Sequence, residues 1–210
     1  INGGGGIRIE NSTPRLKNLK IFNNTANIGG GGISCEACNS RITDVTISQN
    51  TTTGKGGGIR IFNGANPELL NLKISSNQSS EYGGGISVEG LPGNSIIHKF
   101  DRLNISDNIS GNAGGGLYLY ISTVDLSKSF ILNNSALNKG GGLSIEWDSE
   151  LNIQNSFLNG NTLTQGDQGK NIYIGKSDQL IGSTEKFHAV NITVIDTLPS
   201  AISMYSNGLI

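Results

Sequence analysis

Apolar residues along this chain come in runs of two to five, alternating with polar ones and interrupted by Asn, Ser, Gly or Pro. Alternation at period two predicts short, half-buried strands. No 11-residue segment carries a convincing 3.6-residue period, so helices are not expected as a major element. The pattern repeats. Six glycine runs each lead into an aliphatic anchor (Ile7, Ile33, Ile59, Ile86, Leu117 and Leu143), and a degenerate seventh, GKNIYIG, puts Ile172 in the same role. Successive anchors lie 26, 26, 27, 31, 26 and 29 residues apart.

A second marker, aliphatic-x-aliphatic-x-x-Asn, sits upstream of each run. It ends at Asn24, Asn50, Asn77 and Asn108, with poorer copies at Asn134 and Asn161. From each of the first five of these Asn to the next anchor is nine residues every time. A fixed short arm beside a variable long arm points to a stacked repeat. Short strands without helices, in units of this length, suit a coil of three strands and three turns. A leucine-rich repeat has a similar unit length but lacks the glycine run. The expected fold is therefore all-β: a right-handed single-stranded parallel β-helix of about seven coils, the hand following from the bias of parallel crossovers. Residues 1–145 would form regular coils and 146–210 looser ones.

Stacking coils in register, about 4.8 Å apart, turns equivalent residues into columns. Ile7, Ile33, Ile59, Ile86, Leu117 and Leu143 form one interior column; Ile9, Cys35, Ile61, Val88, Leu119 and Ile145 a second; Ile21, Ile47, Ile74 and Ile105 a third. A single coil cannot bury its own apolar face, so neighbouring coils stabilise one another. Asn24, Asn50, Asn77, Asn108, Asn134 and Asn161 are expected at tight corners, tolerating left-handed dihedrals and bonding amide to amide up the stack. The glycines supply positive φ and close approach.

The insertion around residues 90–98 predicts an excursion, because Asn108 lies 22 residues after Ile86 against 17 in the shortest coils. Residues 162–170 form a second widening, and 175–190 the longest irregular stretch. AISMYSN near the end repeats the aliphatic-x-aliphatic-x-x-Asn marker through Ile202, Met204 and Asn207. Both ends read as open coils without the polar cap a solenoid needs. The expected neighbours are accordingly flanking β-helix coils of one longer chain.

Formal charge is −1, without charge blocks. This offers no electrostatic footprint for nucleic acid or an anionic membrane. No tract of 18 apolar residues is present, so no membrane insertion is expected.

The pairing of GGG[I/L] with an upstream marker, in IFNNTANIGGGGI, VTISQNTTTGKGGGI and FILNNSALNKGGGL, resembles the repeats of the polymorphic outer-membrane proteins of chlamydiae. Similar repeats occur in other large surface proteins. The resemblance covers residues 1–145 well and 146–210 loosely, and most coils here replace the family's Phe by Ile. It implies an autotransporter-like passenger: a β-helical stalk exported to the cell surface and engaged in adhesion. The family's membrane-embedded barrel is absent from these residues.

Candidate chemistry lies on the outward positions of the strand after each glycine run. Glu10 and Glu36 fall one coil apart, flanked by Arg8 and Arg60, a spacing compatible with a retaining glycosidase. The competing reading is a solvated face where Glu alternates with Arg. Asp101 and Asp107, near in sequence, belong to separate structural positions and lack the third acid of a calcium-dependent lyase. Phe62, Tyr118 and Tyr120 are expected as exposed aromatics on this face, to stack on sugars or proteins or simply to shield strand edges. Cys35 and Cys38 form the one CxxC, as a local disulfide or as two free thiols; two histidines far off make no zinc site with them. No metal and no other cofactor is expected. Asn11, Asn23, Asn50, Asn77, Asn104, Asn108, Asn133 and Asn191 begin glycosylation sequons, those on the ladder being inaccessible. The expected function is a non-enzymatic extracellular or cell-surface stalk that binds host or neighbouring surface proteins or glycans through its loops and one face. The alternatives are a carbohydrate-active β-helix enzyme, with its site around Glu10/Glu36 or elsewhere, and an architectural part of a larger assembly.

Overall fold

The computed structural model describes residues 4–175 and 185–195, together with the backbone of the strand Ile202–Tyr205. The chain winds as a right-handed parallel β-solenoid, and no helix occurs among the described residues. Three sheets run along the axis. The first has eight strands, from Ile7–Glu10 through Ile33–Glu36, Ile59–Phe62, Ile86–Glu89, Leu117–Tyr120, Leu143–Glu146 and Ile172–Gly175 to Ile202–Tyr205. The second, of 12 strands, is bent into two arms, and the third has six strands of two residues each.

The anchors stack in register as expected, Ile7 on Ile33 on Ile59 and onward to Ile172. A fourth column, read only from the structure, runs Leu16, Ile42, Leu69, Phe100, Leu126 and Ile153 in the first arm of the second sheet. Its strands are three residues long at the start of the chain, too short to show a period.

Two corners between sheets and one between the arms of the second sheet are each turned by a residue with a left-handed backbone, joined at Trp147 by Asp148. Asn11, Ala37, Asn63, Ile121 and Trp147 take the first; Asn18, Asp44, Asn71, Arg102, Lys128, Asn155 and Asn191 the second; Asn23, Gln49, Ser76, Asp107, Asn133 and Gly160 the third. This corrects the expectation for the marker Asn. The left-handed residue is the one before each, and the marker Asn itself turns inward. From Asn50 to Asn161 the ladder residues are at most 3% exposed. Asn77 shows the pattern. Its Nδ2 donates to Asn108 Oδ1 at 3.0 Å and to the Ile47 carbonyl at 2.9 Å, while its Oδ1 accepts from the Asn50 backbone N–H and Nδ2. Every polar atom of a buried amide is thus satisfied by the coils on either side. The poorer copies Asn134 and Asn161 are full members, and Asn161 passes the ladder to Asn171, which stands where other coils have glycine.

The glycine runs fit around this ladder. Of the three residues before each anchor, the first is a glycine with φ of +55° to +68° at Gly30, Gly56, Gly83, Gly114, Gly140 and Gly169. A Cβ on the second would strike the next coil's backbone, as at Gly84 against Gly115 O, 2.5 Å away. The third lies against a ladder amide, Gly85 beside Asn108 Nδ2. The nine-residue arm is constant because it threads the two-residue strand and the glycine turn between these fixed contacts.

Two expectations for the looser end change. Of the stretch 175–190 expected to be irregular, Lys186–Val190 is a strand paired with Glu150–Gln154, and 176–184 lie outside the described residues. Ile202–Tyr205 stacks on Ile172–Gly175 in the first sheet, in the anchor role rather than the marker role. The period-two pattern is the same in both roles, and the preceding glycines that separate them are missing here; Asn207 lies outside the described residues.

Removing one buried rung leaves several polar atoms of its neighbours without partners. Asn77→Ala is expected to cost about 3 kcal/mol or more, whereas Asn24→Ala, at a half-exposed rung, costs roughly 1 kcal/mol. Urea or thermal melting of the two variants checks the difference in Tm.

Candidate functional site

The outward face of the first sheet does not stand open along its length. The glycine three residues before each anchor lies directly on the strand it leads into: a Cβ on Gly30 would meet Ser34 Cα at 2.7 Å, and one on Gly83 would meet Ser87 N at 2.8 Å. The residues just before the runs form their own short ladder, Tyr82 bridging to Ala113, Ala113 to Lys139 and Lys139 to Gln168. This roof buries the first outward position at Ser34, Ser87, Tyr118, Ser144 and Tyr173, all at most 3% exposed, whereas Arg8 and Arg60 at the same position are exposed and half-buried. Tyr118 is therefore not an exposed contact residue. The Tyr82 ring covers it with centroids 4.6 Å apart. Burial pushes the Tyr118 phenol far above its usual range, helped by the nearby carboxylate of Glu146, so it remains neutral.

The second outward position is open or half-buried from Glu10 to Tyr120, and the charges around it are engaged. Arg8 Nη2 reaches Glu36 Oε2 at 2.9 Å and Glu10 Oε2 at 3.0 Å, and Asn63 Nδ2 donates to Glu36 Oε1. Glu10 and Glu36 are neighbours in register, as expected, but share one guanidinium. Arg60 does not flank them. It pairs with Glu89 at 2.7 Å and stacks on Phe62 at 4.3 Å, and Lys55 joins Glu89 at 2.8 Å. Burial raises the Glu89 carboxyl, but the hydrogen bonds and charges of Arg60 and Lys55 outweigh it and hold the group below its ordinary value. Lys55 also lies over the Tyr82 ring at 5.6 Å and the Tyr120 ring at 6.0 Å.

Farther along, Tyr120 and Trp147 meet with ring centroids 5.7 Å apart. Glu146, one rung beyond Tyr120, is 7% exposed and accepts a 2.7 Å hydrogen bond from Ser144 Oγ. Burial raises its carboxyl, an effect that Ser144 and Lys139 only partly offset. Trp147, Glu89, Glu146, Lys55 and Tyr82 were not among the sequence candidates. Trp147 is the single tryptophan of the chain, a signal that was available. Glu89 and Glu146 lie outward by the same alternation that places Glu10 and Glu36, whereas Lys55 and Tyr82 required the roof, which brings the residues before the glycine runs over the strand after them.

Cys35 and Cys38 are joined as a disulfide, both fully buried, with Cα atoms 5.6 Å apart. The ladder sequons at Asn50, Asn77 and Asn108 are fully buried, while Asn11, Asn23, Asn133 and Asn191 are exposed. Asp101 pairs with Arg102. No cluster of metal-ligating side chains occurs among the described residues. The outward strip can hold ligands by stacking and hydrogen bonding; its carboxylates Glu10, Glu36 and Glu89 are bound to cations.

Two buried groups, Glu146 on this face and His98 in the second sheet, have opposite pH dependences. The Glu146 carboxyl titrates higher folded than unfolded, so the folded state binds the extra proton and stability falls as pH rises through that interval. Glu146→Gln is expected to raise Tm at pH 7 and flatten this loss, as pH-dependent melting would show. His98, 3% exposed, is lowered by burial to about 4 from 6.5. The unfolded chain takes up its proton first, so stability falls as pH drops from about 6.5 to about 4, by on the order of 3 kcal/mol. His98→Gln should remove that acid slope.

Residues 1–163 match the family described as right handed beta helix region. No curated protein and no solved structure matches the chain. With its in-register coils, parallel sheets and inward amide ladder, the chain belongs to the right-handed β-helix family.

Proposed function

We propose that this chain is a non-enzymatic structural stalk of the cell surface or extracellular space, of the autotransporter-like kind its repeats resemble. It holds binding positions at fixed spacing along a rigid axis and engages neighbouring or host surface proteins or glycans through loops and one face. The observation that carries this reading is the pairing of outward carboxylates across neighbouring coils: Glu36 on Arg8, Glu89 on Arg60 and Lys55. Such charges tie coil to coil along the axis. A buried Cys35–Cys38 disulfide suits an oxidising exterior.

Glycosidase chemistry at Glu10/Glu36 would need one carboxyl as acid and the other as nucleophile. Here both converge on the same guanidinium, which favours the stalk.

Two experiments test the proposal. Protease shaving of intact source cells should release peptides of this chain, with Cys35 and Cys38 bridged in mass spectra. Incubation with polysaccharides should release no reducing ends. Peptides found only after lysis, with free thiols, would sink the surface reading. Turnover abolished by Glu36→Gln would sink the non-enzymatic one.

A further inference from the structure

The longest anchor-to-anchor coil is the one between Ile86 and Leu117, at 31 residues. The residues inserted after Ile86–Glu89 form a loop at 90–96, and the following strand, Ile97–Ser106, is the longest in the chain at ten residues. Between this loop and the corner at Trp147 lies a cleft of about 330 Å³, lined by Leu91, Asn94, Ser122, Thr123, Trp147 and Asp148 among others. That is the lower end of the range for small-ligand sites.

Backbone strain gathers on its wall. Ile121, Trp147 and Asp148 have φ of +50°, +56° and +53°. The same corner is turned elsewhere by Asn11, Ala37 and Asn63, of which Asn tolerates the left-handed region well. A β-branched Ile and a bulky Trp there are outliers, held at a cost of about 1–3 kcal/mol each. A corner that only had to turn would use Asn or Gly. At Trp147 the strained conformation instead places an indole, half-exposed, at the cleft and beside Tyr120.

The floor has an unmet hydrogen-bonding demand. Ser122 is 6% exposed, and its Oγ has no partner; His98, behind it, is 3% exposed with Nδ1 unpartnered. A cavity of about 10 Å³, the size of one water, is lined by both of them and by Asn94, which also lines the cleft. An aromatic wall, a floor hydroxyl and a rim of Asn94, Thr123 and Asp148 match a pyranose ring, which has an apolar C–H face and a hydroxyl edge. No Lys or Arg lines the cleft among the described residues, and Asp148 stands at it, which disfavours an acidic sugar.

We propose that the cleft between the 90–96 loop and Trp147 binds a neutral sugar, its ring stacked on the Trp147 indole and its hydroxyls bonded to Ser122 and Asn94. The proposal rests on the reading of the chain as a binding stalk and assigns it a specific glycan-contact position.

Because Trp147 is the only tryptophan, its emission reports on this cleft alone. Titration with maltose, cellobiose, lactose and diacetylchitobiose, with sialyllactose as the acidic control, should give a saturable blue shift with at least one neutral sugar at millimolar concentration or below. Ser122→Ala and Asn94→Ala should weaken that affinity about tenfold or more. Trp147→Asn should abolish the heat of sugar binding in calorimetry without lowering Tm, since Asn relieves the strain. Any of four results would overturn the proposal. They are no saturable shift with any neutral sugar, a shift indifferent to Ser122→Ala and Asn94→Ala, a response to sialyllactose alone, or a Trp147→Asn variant that melts earlier. The cell-shaving and turnover experiments are independent of this site, so a null titration leaves the stalk reading in place.

Discussion

The buried amide ladder is the constraint on which the rest of this molecule depends. A primary amide sealed among Ile and Leu side chains needs donors and acceptors at fixed positions. Here they come from the coil above and the coil below, Asn50 donating to Asn77 and Asn77 to Asn108. That demand sets the register, because a slip of one residue would strand an amide in the core and turn Ile47, Ile74 and Ile105 outward. It also dictates the glycines. The chain must pass close to the ladder after each marker Asn, and Gly58, Gly85 and Gly116 occupy positions where a Cβ would lie about 3 Å from a ladder Nδ2.

The same glycine turns shape the outer surface. By folding over the strand they introduce, they cover its first outward residue except at Arg8 and Arg60, and leave the second accessible from Glu10 to Tyr120. The result is a narrow strip rather than a broad sheet face. Along it Arg8, Arg60 and Lys55 neutralise the neighbouring carboxylates, while Phe62, Tyr120 and Trp147 supply aromatic surface. Glu146 differs because the roof closes over it. Its neighbours donate less than its burial costs, and its carboxyl shifts toward the neutral form.

A solenoid can tolerate irregularity only where no ladder passes. The arm from marker Asn to anchor carries the third sheet and the glycine turn, and it does not vary over the first five markers. The corner after the first sheet carries neither. There the chain accommodates the 90–96 loop, the left-handed Ile121 and Trp147, and the orphaned Ser122 Oγ and His98 Nδ1. The inserted loop and the left-handed Ile121 and Trp147 meet at this corner, whereas the ladder amides from Asn50 to Asn134 bond the coils on either side. Local violations of otherwise consistent design are where function is expected.

Period-two alternation, the glycine-to-anchor step and the nine-residue arm were enough to specify the solenoid, two interior columns in full and the amide ladder. These features repeat, and each copy reinforces the others. What did not repeat stayed illegible. The short first arm of the second sheet hid the Leu16–Ile153 column, and Asn171 looked like a defect in a glycine run until it joined the ladder. The exposure of Tyr118 could not be read from alternation, which assigns it outward but is blind to the Tyr82 ring above it. The pairing of Arg60 with Glu89 instead of Glu36, and the meeting of the 90–96 loop with Trp147, join residues more than 25 apart across separate coils. Sequence determined which residues share a column, because that depends on spacing alone. Only the tertiary structure decided which outward residues are roofed, paired or left open, because that depends on what the neighbouring coil and its turns place above them.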